Sequence, residues 1–266
     1  MVADTDPRLL SDPSRTGIFL DFDGTLSHIV LYAGDARPLE GVPELLRDLQ
    51  ATFGLVAVVS GRSAHQLTEW LGSDVEIWGV HGAESNRSGT VELTDQAAAF
   101  QDLMDRVKEE AATAVARLDL PGVVVEDKGI MIGLHFRGAE DVERARRELD
   151  GVAQELVDTH GLLRAGGRLA YELRPPSDFS KAAIVLARSR EENLAAVAFM
   201  GDDRVDLPGF DALDQLADEG VATVRVAVNS DEAPPDLIER ADVVVDGPPE
   251  AVEWLRVLAR GARRVG

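Results

Sequence analysis

The sequence predicts an α/β fold: a doubly wound parallel sheet interrupted by an inserted α/β cap domain with an open antiparallel sheet. In the first 83 residues and again after residue 172, short apolar runs alternate with helical patterns and end in polar turns. Continuous apolar runs are typical of parallel strands that are covered on both faces. Residues 168–174 instead alternate apolar and polar side chains, as in a strand with one solvated face. The two patterns therefore predict two different sheets.

The composition limits the classes of function. The chain has 266 residues, 45% of them hydrophobic, which is enough for one large domain or two modest ones. The net charge of −21 argues against binding to nucleic acid or to anionic membrane surfaces, because both need basic patches. The chain has no cysteine, which excludes disulfides and cysteine metal sites. It also has no run of about 18 apolar residues and no apolar signal-peptide core, so we expect a cytoplasmic protein.

We place the domain boundaries where the patterns change. Residues 15–83 and 173–266 are predicted to form the core, and residues 84–172 the cap. Residues 1–14 are predicted to form a loose, polar N-terminal tail. The alternative is that residues 84–172 add further units to a single sheet.

The first part of the core contains three predicted parallel strands separated by helices. The strands are the apolar runs 18–20 and 55–59 and the short segment 76–80. One helix is predicted by apolar residues at helical spacing from Val42 and ends at Gly54. A second helix is predicted after Ser63, whose spacing to Gln66 is that of a capping box. Because such sheets bind ligands beyond the carboxyl ends of their strands, the polar residues after each strand are site candidates.

The cap segment has its own pattern. Apolar residues at helical spacing predict one helix over residues 100–118 and another over residues 142–157. Between them, residues 123–126 and 130–136 are predicted to form two strands around a hairpin-like turn. The alternating segment 168–174 adds a further strand to this small open sheet.

The core pattern resumes after Pro175. A helix is predicted over residues 178–190, and a second helix over residues 249–263 closes the chain. The predicted strands of this part are the apolar run 195–200 and the short segments 223–228 and 242–246.

Two acidic turns follow buried strands. Asp21 and Asp23 follow the first strand and lead into a Gly-Thr turn. Unpaired carboxylates at the edge of a core are costly, so we expect a cation or a chemical task there. Asp202 and Asp203 end a later strand and Asp206 follows; these acids repel one another unless they share a metal. Oxygen ligands suit Mg²⁺. The alternative for each turn is a solvated acidic loop.

Two further polar residues occupy suggestive positions. Ser60 ends the second strand, where its hydroxyl can donate to a phosphate oxygen. Lys181 lies at the start of a predicted helix, where a cation opposes the helix macrodipole. A nearby anion is the expected reason, and the alternative is an exposed surface lysine.

The segment Asp21-Phe22-Asp23-Gly24-Thr25-Leu26, followed in order by Ser60, Lys181 and Asp202, resembles the four motifs of phosphatases in the haloacid-dehalogenase (HAD) superfamily. The resemblance implies that Asp21 is a nucleophile that forms an aspartyl phosphate. It implies that Asp23 is the general acid and base and that Ser60 and Lys181 hold the phosphate.

The same resemblance implies a magnesium site. The implied ligands are Asp21, Asp202 and the backbone carbonyl of Asp23. Asp203 and Asp206 would lie around these ligands and orient them.

A finer resemblance is to the trehalose-6-phosphate phosphatase family. The matching segments are Ser60-Gly61-Arg62, His81-Gly82-Ala83-Glu84, Glu126-Asp127-Lys128, Leu134-His135-Phe136-Arg137 and Glu172-Leu173-Arg174-Pro175. The substrate-binding residues that the resemblance implies are Arg62, His81, Glu84, Glu126, Lys128 and Glu172. Acids and a lysine suit sugar hydroxyls, and Arg62 or Lys128 would add a positive contact to phosphate. For His135 the alternatives are a role in substrate binding or its support, and an ordinary strand position.

The fourth motif departs from the family pattern. Val205 and Leu207 stand where the family usually has Thr and Glu. The three aspartates of this motif are retained, so we expect metal binding to persist while the surroundings of the metal, and the rate, differ.

These residues predict a Mg²⁺-dependent phosphatase that hydrolyses trehalose 6-phosphate to trehalose and phosphate. Within the same class, the alternatives are phosphatases of sucrose 6-phosphate or mannosyl-3-phosphoglycerate. From another class, the alternative is a non-catalytic HAD-fold binding or regulatory protein, against which the intact motif residues argue. A small sugar phosphate is the expected partner, and neither nucleic acid nor a membrane is expected.

Overall fold

A computed structural model of the chain describes residues 6–30, 33–167, 169–177, 179–230 and 233–265. The chain divides into two compact units. The core unit comprises Met1–Glu92 and Phe179–Gly266, and the insert unit comprises Leu93–Asp178.

The strands of the described residues, in chain order, are β1 (Thr16–Leu20), β2 (Leu55–Val59), β3 (Glu76–Gly79), β4 (Glu84–Ser85), β5 (Glu92–Leu93), β6 (Val124–Asp127), β7 (Ile132–His135), β8 (Leu163–Gly167), β9 (Ala170–Arg174), β10 (Ala196–Gly201), β11 (Ala222–Asn229) and β12 (Val243–Asp246). The helices are α1 (Val42–Gln50), α2 (Ala64–Leu71), α3 (Asp95–Ala98), α4 (Gln101–Arg117), α5 (Val142–His160), α6 (Lys181–Glu191), α7 (Leu207–Asp218), α8 (Pro235–Arg240) and α9 (Gly247–Val265). Within the described ranges, none of these helices has the length and apolar character needed to cross a membrane.

The larger sheet has the order β12-β11-β10-β1-β2-β3-β4-β5. Neighbours from β12 to β3 pair in parallel. Because β1 has β10 on one side and β2 on the other, the strand order reverses around β1. This arrangement confirms the predicted doubly wound parallel sheet.

Strand β1 is the centre of the larger sheet. Leu20 is in register with Met200 of β10 and with Val58 of β2. Ile18 and Leu20 pack into one apolar cluster, whereas Phe19 packs into a second one, and all three are fully buried. Burial on both faces explains why this strand is a continuous apolar run.

The insert unit contains an antiparallel sheet in the order β6-β7-β9-β8. This confirms the predicted open antiparallel sheet. Strand β8 was not predicted, because its segment contains Gly166 and Gly167 and shows no sustained alternation. Arg168, the first residue of the predicted alternating strand, lies outside the described residues, and β9 begins at Ala170.

The core unit extends further along the chain than the predicted boundary at residue 84. Strand β4 pairs antiparallel with β3, with Glu84 opposite Gly79 and Ser85 opposite Trp78. The chain therefore continues as part of the larger sheet after the turn that follows β3, and the core unit ends at Glu92.

The N-terminal segment is not a loose tail over its described part. Residues 6–14 include two short 3₁₀ turns, Pro7–Leu10 and Pro13–Arg15. Leu9 in the first of these turns is fully buried in the same apolar cluster as Ile18. The apolar side chains of Leu9 and Leu10 thus attach this segment to the core, and residues 1–5 of the predicted tail lie outside the described residues.

Candidate functional site

Three of the candidate residues follow adjacent strands of the larger sheet. Asp21 comes after β1, Ser60 after β2 and Asp202 after β10. Their exposed fractions are 6%, 1% and 4%, respectively. The amide of Asp21 donates to the carbonyl of Met200 at 2.9 Å, so sheet hydrogen bonding continues up to this carboxylate. Parallel strand ends bring these residues to one edge of the sheet.

Lys181 is the first residue of α6 and is almost completely buried. Its ammonium group donates to Oδ1 of Asp21, and to Oδ1 of Asp206 at 2.5 Å. Burial alone would lower the pKa of Lys181, but the carboxylates of Asp206 and Asp21 outweigh it and raise the pKa. The anions that compensate a lysine at a helix N-terminus are therefore two aspartates.

Asp21, Asp202 and Asp206 form an acidic cluster, in which one carboxylate oxygen of each lies within 4.8 Å of the others. Burial, only partly offset by Lys181, raises the pKa of Asp21 to about 7. Burial and the charges of Asp21 and Asp206 raise the pKa of Asp202 to about 8. Three carboxylates facing one lysine leave excess negative charge, which a divalent cation would neutralise.

The surroundings of the cluster fit a hard divalent cation. Gly24 has φ +75°, and a Cβ atom there would lie 1.9 Å from Oδ2 of Asp202. The Asp202 carboxylate therefore lies directly against the backbone of the first acidic turn, as oxygen ligands from two loops must if they share an ion. The hydroxyl of Thr25 in that turn is buried and has no hydrogen-bond partner among the described residues. The first turn thus leaves a polar group to be satisfied by a ligand.

Asp206 belongs to the acidic cluster itself and not only to its surroundings. Its Oδ2 accepts hydrogen bonds from the amides of Asp202 and Asp203, both at 3.0 Å, while its Oδ1 faces Lys181. The Asp203 side chain instead accepts from the amide of Arg204 at 2.5 Å and caps a short 3₁₀ turn. Asp206 therefore fixes the loop of the fourth motif, while the exposed Asp203 caps the N-terminus of the 3₁₀ turn that follows it.

Asp23 is paired with Arg62. The guanidinium donates from Nε to Oδ2 at 2.7 Å and from Nη2 to Oδ1 at 2.8 Å, which is bidentate geometry. Arg62 also lies over the rings of Phe22 and Trp70, at 5.6 and 5.4 Å from their centroids. The resemblance implied that Arg62 binds substrate, whereas in this structure it orients the carboxylate of Asp23.

Glu84 and His81 lie beside the loop that follows β2. One carboxylate oxygen of Glu84 accepts from the amide of Ala64 at 2.7 Å, at the N-terminus of α2. The His81 ring lies against Gly61, since a Cβ atom there would be 2.9 Å from its Nε2. Both predicted substrate-binding residues thus contact protein groups next to Ser60, a role that their sequence positions did not indicate.

In the insert unit, the predicted residues come together on neighbouring strands. Lys128 donates to Oε1 of Glu172 at 2.5 Å, and its Nζ lies 3.6 Å from Oε2 of Glu126. His135 shares a hydrogen bond of 2.7 Å with Glu126. Gly133, which is in register with both Glu126 and Glu172, leaves the space that the His135 ring occupies. His135, for which the sequence left two alternatives, is part of this half-exposed cluster.

Most of the sequence matches known proteins. The sequence profile described as Trehalose-phosphatase matches residues 19–237. A trehalose-phosphate phosphatase of Mycobacterium avium (strain 104) is 34% identical over 258 residues, which cover 91% of this chain and 61% of that protein. The chain thus spans about three fifths of the length of the mycobacterial relatives that it matches.

Solved structures share the fold. The crystal structure of a trehalose-6-phosphate phosphatase related protein matches with a TM-score of 0.75 at 23% identity, covering 93% of this chain and 99% of that one. A haloacid dehalogenase-like hydrolase from Bacteroides thetaiotaomicron matches with a TM-score of 0.61 at 15% identity, covering 94% of this chain and 99% of that one. The fold is therefore that of HAD-like hydrolases.

Proposed function

Because the chain belongs to the trehalose-phosphatase family, we propose that it is a Mg²⁺-dependent phosphatase that hydrolyses trehalose 6-phosphate to trehalose and phosphate. One observation carries the chemistry: the buried carboxylate of Asp21 is held by Lys181 beside Asp202 at the carboxyl edge of the sheet. A fixed carboxylate in a water-poor pocket is suited to nucleophilic attack.

The proposed reaction has two displacements. An oxygen of Asp21 bonds to phosphorus, the bond from phosphorus to the sugar oxygen breaks, and Asp23 gives a proton to that oxygen. Asp23 then takes a proton from water, whose oxygen bonds to phosphorus and releases Asp21 and inorganic phosphate. Lys181 and Ser60 are proposed to bind the phosphate oxygens, supported by their position next to Asp21.

The magnesium site is proposed on the carboxylates of Asp21 and Asp202 and the backbone carbonyl of Asp23. When bound, the ion supplies positive charge that offsets the repulsion between the carboxylates and the phosphate. Asp206 already accepts one hydrogen bond from Lys181 and two from backbone amides, so we assign to it the orientation of Asp202 and Lys181. Asp203 is proposed to support the same loop through its cap.

The insert unit is proposed to recognise the sugar. The carboxylates of Glu126 and Glu172 accept hydrogen bonds and the ammonium of Lys128 donates them, which together suits a polyhydroxyl ligand. The charges are half-exposed, so their mutual contacts exchange readily for contacts with hydroxyls. His81, Glu84 and Arg62 are proposed to contribute to substrate binding within the core unit, beside the loop that follows β2.

A substrate panel tests the proposal. Phosphate release would be measured with Mg²⁺ on trehalose 6-phosphate, sucrose 6-phosphate, mannosyl-3-phosphoglycerate and glucose 6-phosphate, with Asp21→Asn as the control. We expect the highest kcat/KM for trehalose 6-phosphate and no release by the variant. A higher kcat/KM for another sugar phosphate would overturn the substrate. Release that persists in Asp21→Asn would overturn the nucleophile, and no release from any substrate would favour a binding protein.

A further inference from the structure

The turn of residues 79–84, which follows β3, contains consecutive residues with left-handed backbone conformation. Val80 has φ 49°, His81 has φ 57° and Gly82 has φ 106°. Glycine adopts such angles freely, but a β-branched valine does so only under strain. Strained backbone persists where surrounding contacts determine it, and it concentrates at functional sites.

Hydrogen bonds tie this turn to the loop of Ser60–Arg62. The amide of Val80 donates to the carbonyl of Arg62 at 2.8 Å, and the amide of His81 donates to the carbonyl of Ser60 at 2.9 Å. In return, the amide of Ser60 donates to the carbonyl of Trp78 at 3.0 Å. The two non-glycine residues with left-handed backbone, Val80 and His81, are therefore the ones whose amides reach the Ser60 loop.

Close packing extends the turn to two other elements. Its Gly79 lies against Ala64, the first residue of α2, because a Cβ atom at Gly79 would be 2.1 Å from the Ala64 nitrogen. Its Gly82 lies against Ile184 of α6, where a Cβ atom would be 2.6 Å from Cδ1. Ile184 is one helical turn after Lys181. One turn thus contacts the elements that carry both proposed phosphate-binding side chains.

The orientation of the peptide between Ser60 and Gly61 determines where the amide of Gly61 points. In a trans peptide the carbonyl and the following amide point in opposite directions. Since the carbonyl of Ser60 is held by His81, the amide of Gly61 faces away from the turn. Among the described residues that amide has no hydrogen-bond acceptor.

We infer that the strained turn at Val80 and His81 is a positioning device: it fixes the hydroxyl of Ser60 and the amide of Gly61 in the orientation that grips a phosphate group. The inference rests on the proposed phosphatase function. It assigns to the backbone of His81 a role that is separate from any contact between its imidazole and the substrate.

The test compares glycine substitutions at strained positions. Val80→Gly and His81→Gly relieve the strain and open further backbone conformations to the turn, whereas His81→Asn keeps a residue that tolerates left-handed backbone. Asn193→Gly is the matched control, because Asn193 has φ 51° but hydrogen-bonds to Arg190 and Arg15, away from the Ser60 loop. Each variant would be examined for thermal unfolding, for amide hydrogen exchange of peptides covering the Ser60 loop, and for the Kd of inorganic phosphate with Mg²⁺ by calorimetry.

We expect Val80→Gly and His81→Gly to remain folded, to exchange the Ser60-loop amides faster, and to weaken phosphate binding roughly tenfold. His81→Asn should keep the slow exchange of the Ser60-loop amides, and Asn193→Gly should match the parent chain in both measurements. Unchanged exchange and phosphate Kd in both folded glycine variants would overturn the inference. If His81→Asn weakens phosphate binding and speeds amide exchange as much as His81→Gly does, the imidazole acts directly and the backbone role is wrong.

The phosphate readout does not depend on the sugar. A parent chain that binds phosphate but hydrolyses another sugar phosphate would change the proposed substrate and leave this inference standing. A parent chain that binds no phosphate would overturn the proposed function and the inference together, whereas loss restricted to the glycine variants supports the inference.

Discussion

The core unit and the insert unit each hold a lysine between two carboxylates, but they differ in burial. In the core, the side chains of Lys181, Asp21 and Asp206 are 2%, 9% and 0% exposed. In the insert unit, those of Lys128, Glu126 and Glu172 are 26%, 47% and 28% exposed. The same arrangement of charges therefore occurs once buried and once half-exposed.

The difference in burial indicates different roles for the core cluster and the insert cluster. A buried charge that loses its partner is left uncompensated, so the core cluster is fixed and suits a reacting group. A half-exposed pair contributes little to stability and exchanges easily with other polar groups. We therefore expect substitutions in the core cluster to affect both chemistry and folding, and those in the insert cluster to affect binding.

The largest effect is expected for Asp21→Asn. The variant keeps the shape of the side chain but removes the attacking oxygen, so kcat should fall by about 10⁴-fold or more. The measurement is steady-state phosphate release, with Asp214→Asn on the exposed surface as the control. Comparable activity in Asp21→Asn and the control would contradict the assignment of the nucleophile.

The second prediction compares the two lysines directly. Lys181→Met leaves Asp21 and Asp206 buried without their cation, and the free energy of unfolding should fall by about 3–5 kcal/mol. Lys128→Met removes a half-exposed cation and should cost about 1 kcal/mol or less. Urea denaturation without metal measures both. Equal losses would show that burial does not distinguish the clusters.

The third prediction concerns pH and metal. In the folded chain the pKa values of Asp21 and Asp202 are raised to about 7 and about 8 from the ordinary 3.8. Between about pH 4 and about pH 8 the folded chain therefore holds protons that the unfolded chain has released, and the free energy of unfolding should decrease as pH rises. Mg²⁺ binds the ionised carboxylates and should restore about 2.7 kcal/mol at 100 times its Kd.

Urea denaturation at several pH values, with Mg²⁺ or with a chelator, measures this effect. Asp202→Asn should flatten the pH dependence and reduce the stabilisation by Mg²⁺. A metal-free chain whose stability rises over this interval would contradict the assignment of the raised pKa values.

The fourth prediction concerns the pairing of Asp23 with Arg62. Arg62→Ala should lower kcat/KM for a sugar phosphate by about 10²-fold, because the acid that protonates the sugar oxygen is no longer oriented. p-Nitrophenyl phosphate, whose leaving group needs no proton, should be affected much less. An equal loss on both substrates would indicate that Arg62 contacts the phosphate.

The smallest effect is expected in the insert unit. Lys128→Ala should raise KM for the sugar phosphate roughly tenfold and leave kcat on p-nitrophenyl phosphate unchanged, because only sugar contacts are lost. Lys108→Ala, which removes another ion-paired lysine of the same unit, is the matched control. A KM that does not change in Lys128→Ala would argue against sugar recognition by this cluster.

The sequence was sufficient to predict the position of a site residue that directly follows a buried strand. Asp21, Ser60 and Asp202 each follow a continuous apolar run, and the parallel ladder then brings them to one edge. The sequence was insufficient for partners chosen by three-dimensional contact. Nothing in the fourth motif indicated that Asp206 would share Lys181 with Asp21, since that contact joins three separate elements.

The cap of α2 shows the same limit. A capping box between Ser63 and Gln66 was predicted, but Ser63 accepts from the amide of His65, and the side chain of Gln66 accepts from Arg62. The amide of Ala64 is satisfied by Glu84, which lies 20 residues away. Local spacing predicted that a cap exists, but a distant carboxylate supplies part of it.

The contact of Lys181 with Asp21 also bears on how the protein is made. These residues are 160 positions apart, and the whole insert unit is translated between them. As the ribosome extends the chain, strand β1 and the carboxylates that follow it emerge long before β10 and α6, so they lack one neighbouring strand and their cation. Contacts of such sequence separation form late and slow folding. We therefore expect a nascent chain that ends before Lys181 to lack a completed site, and activity to begin only once the last third of the polypeptide has folded back.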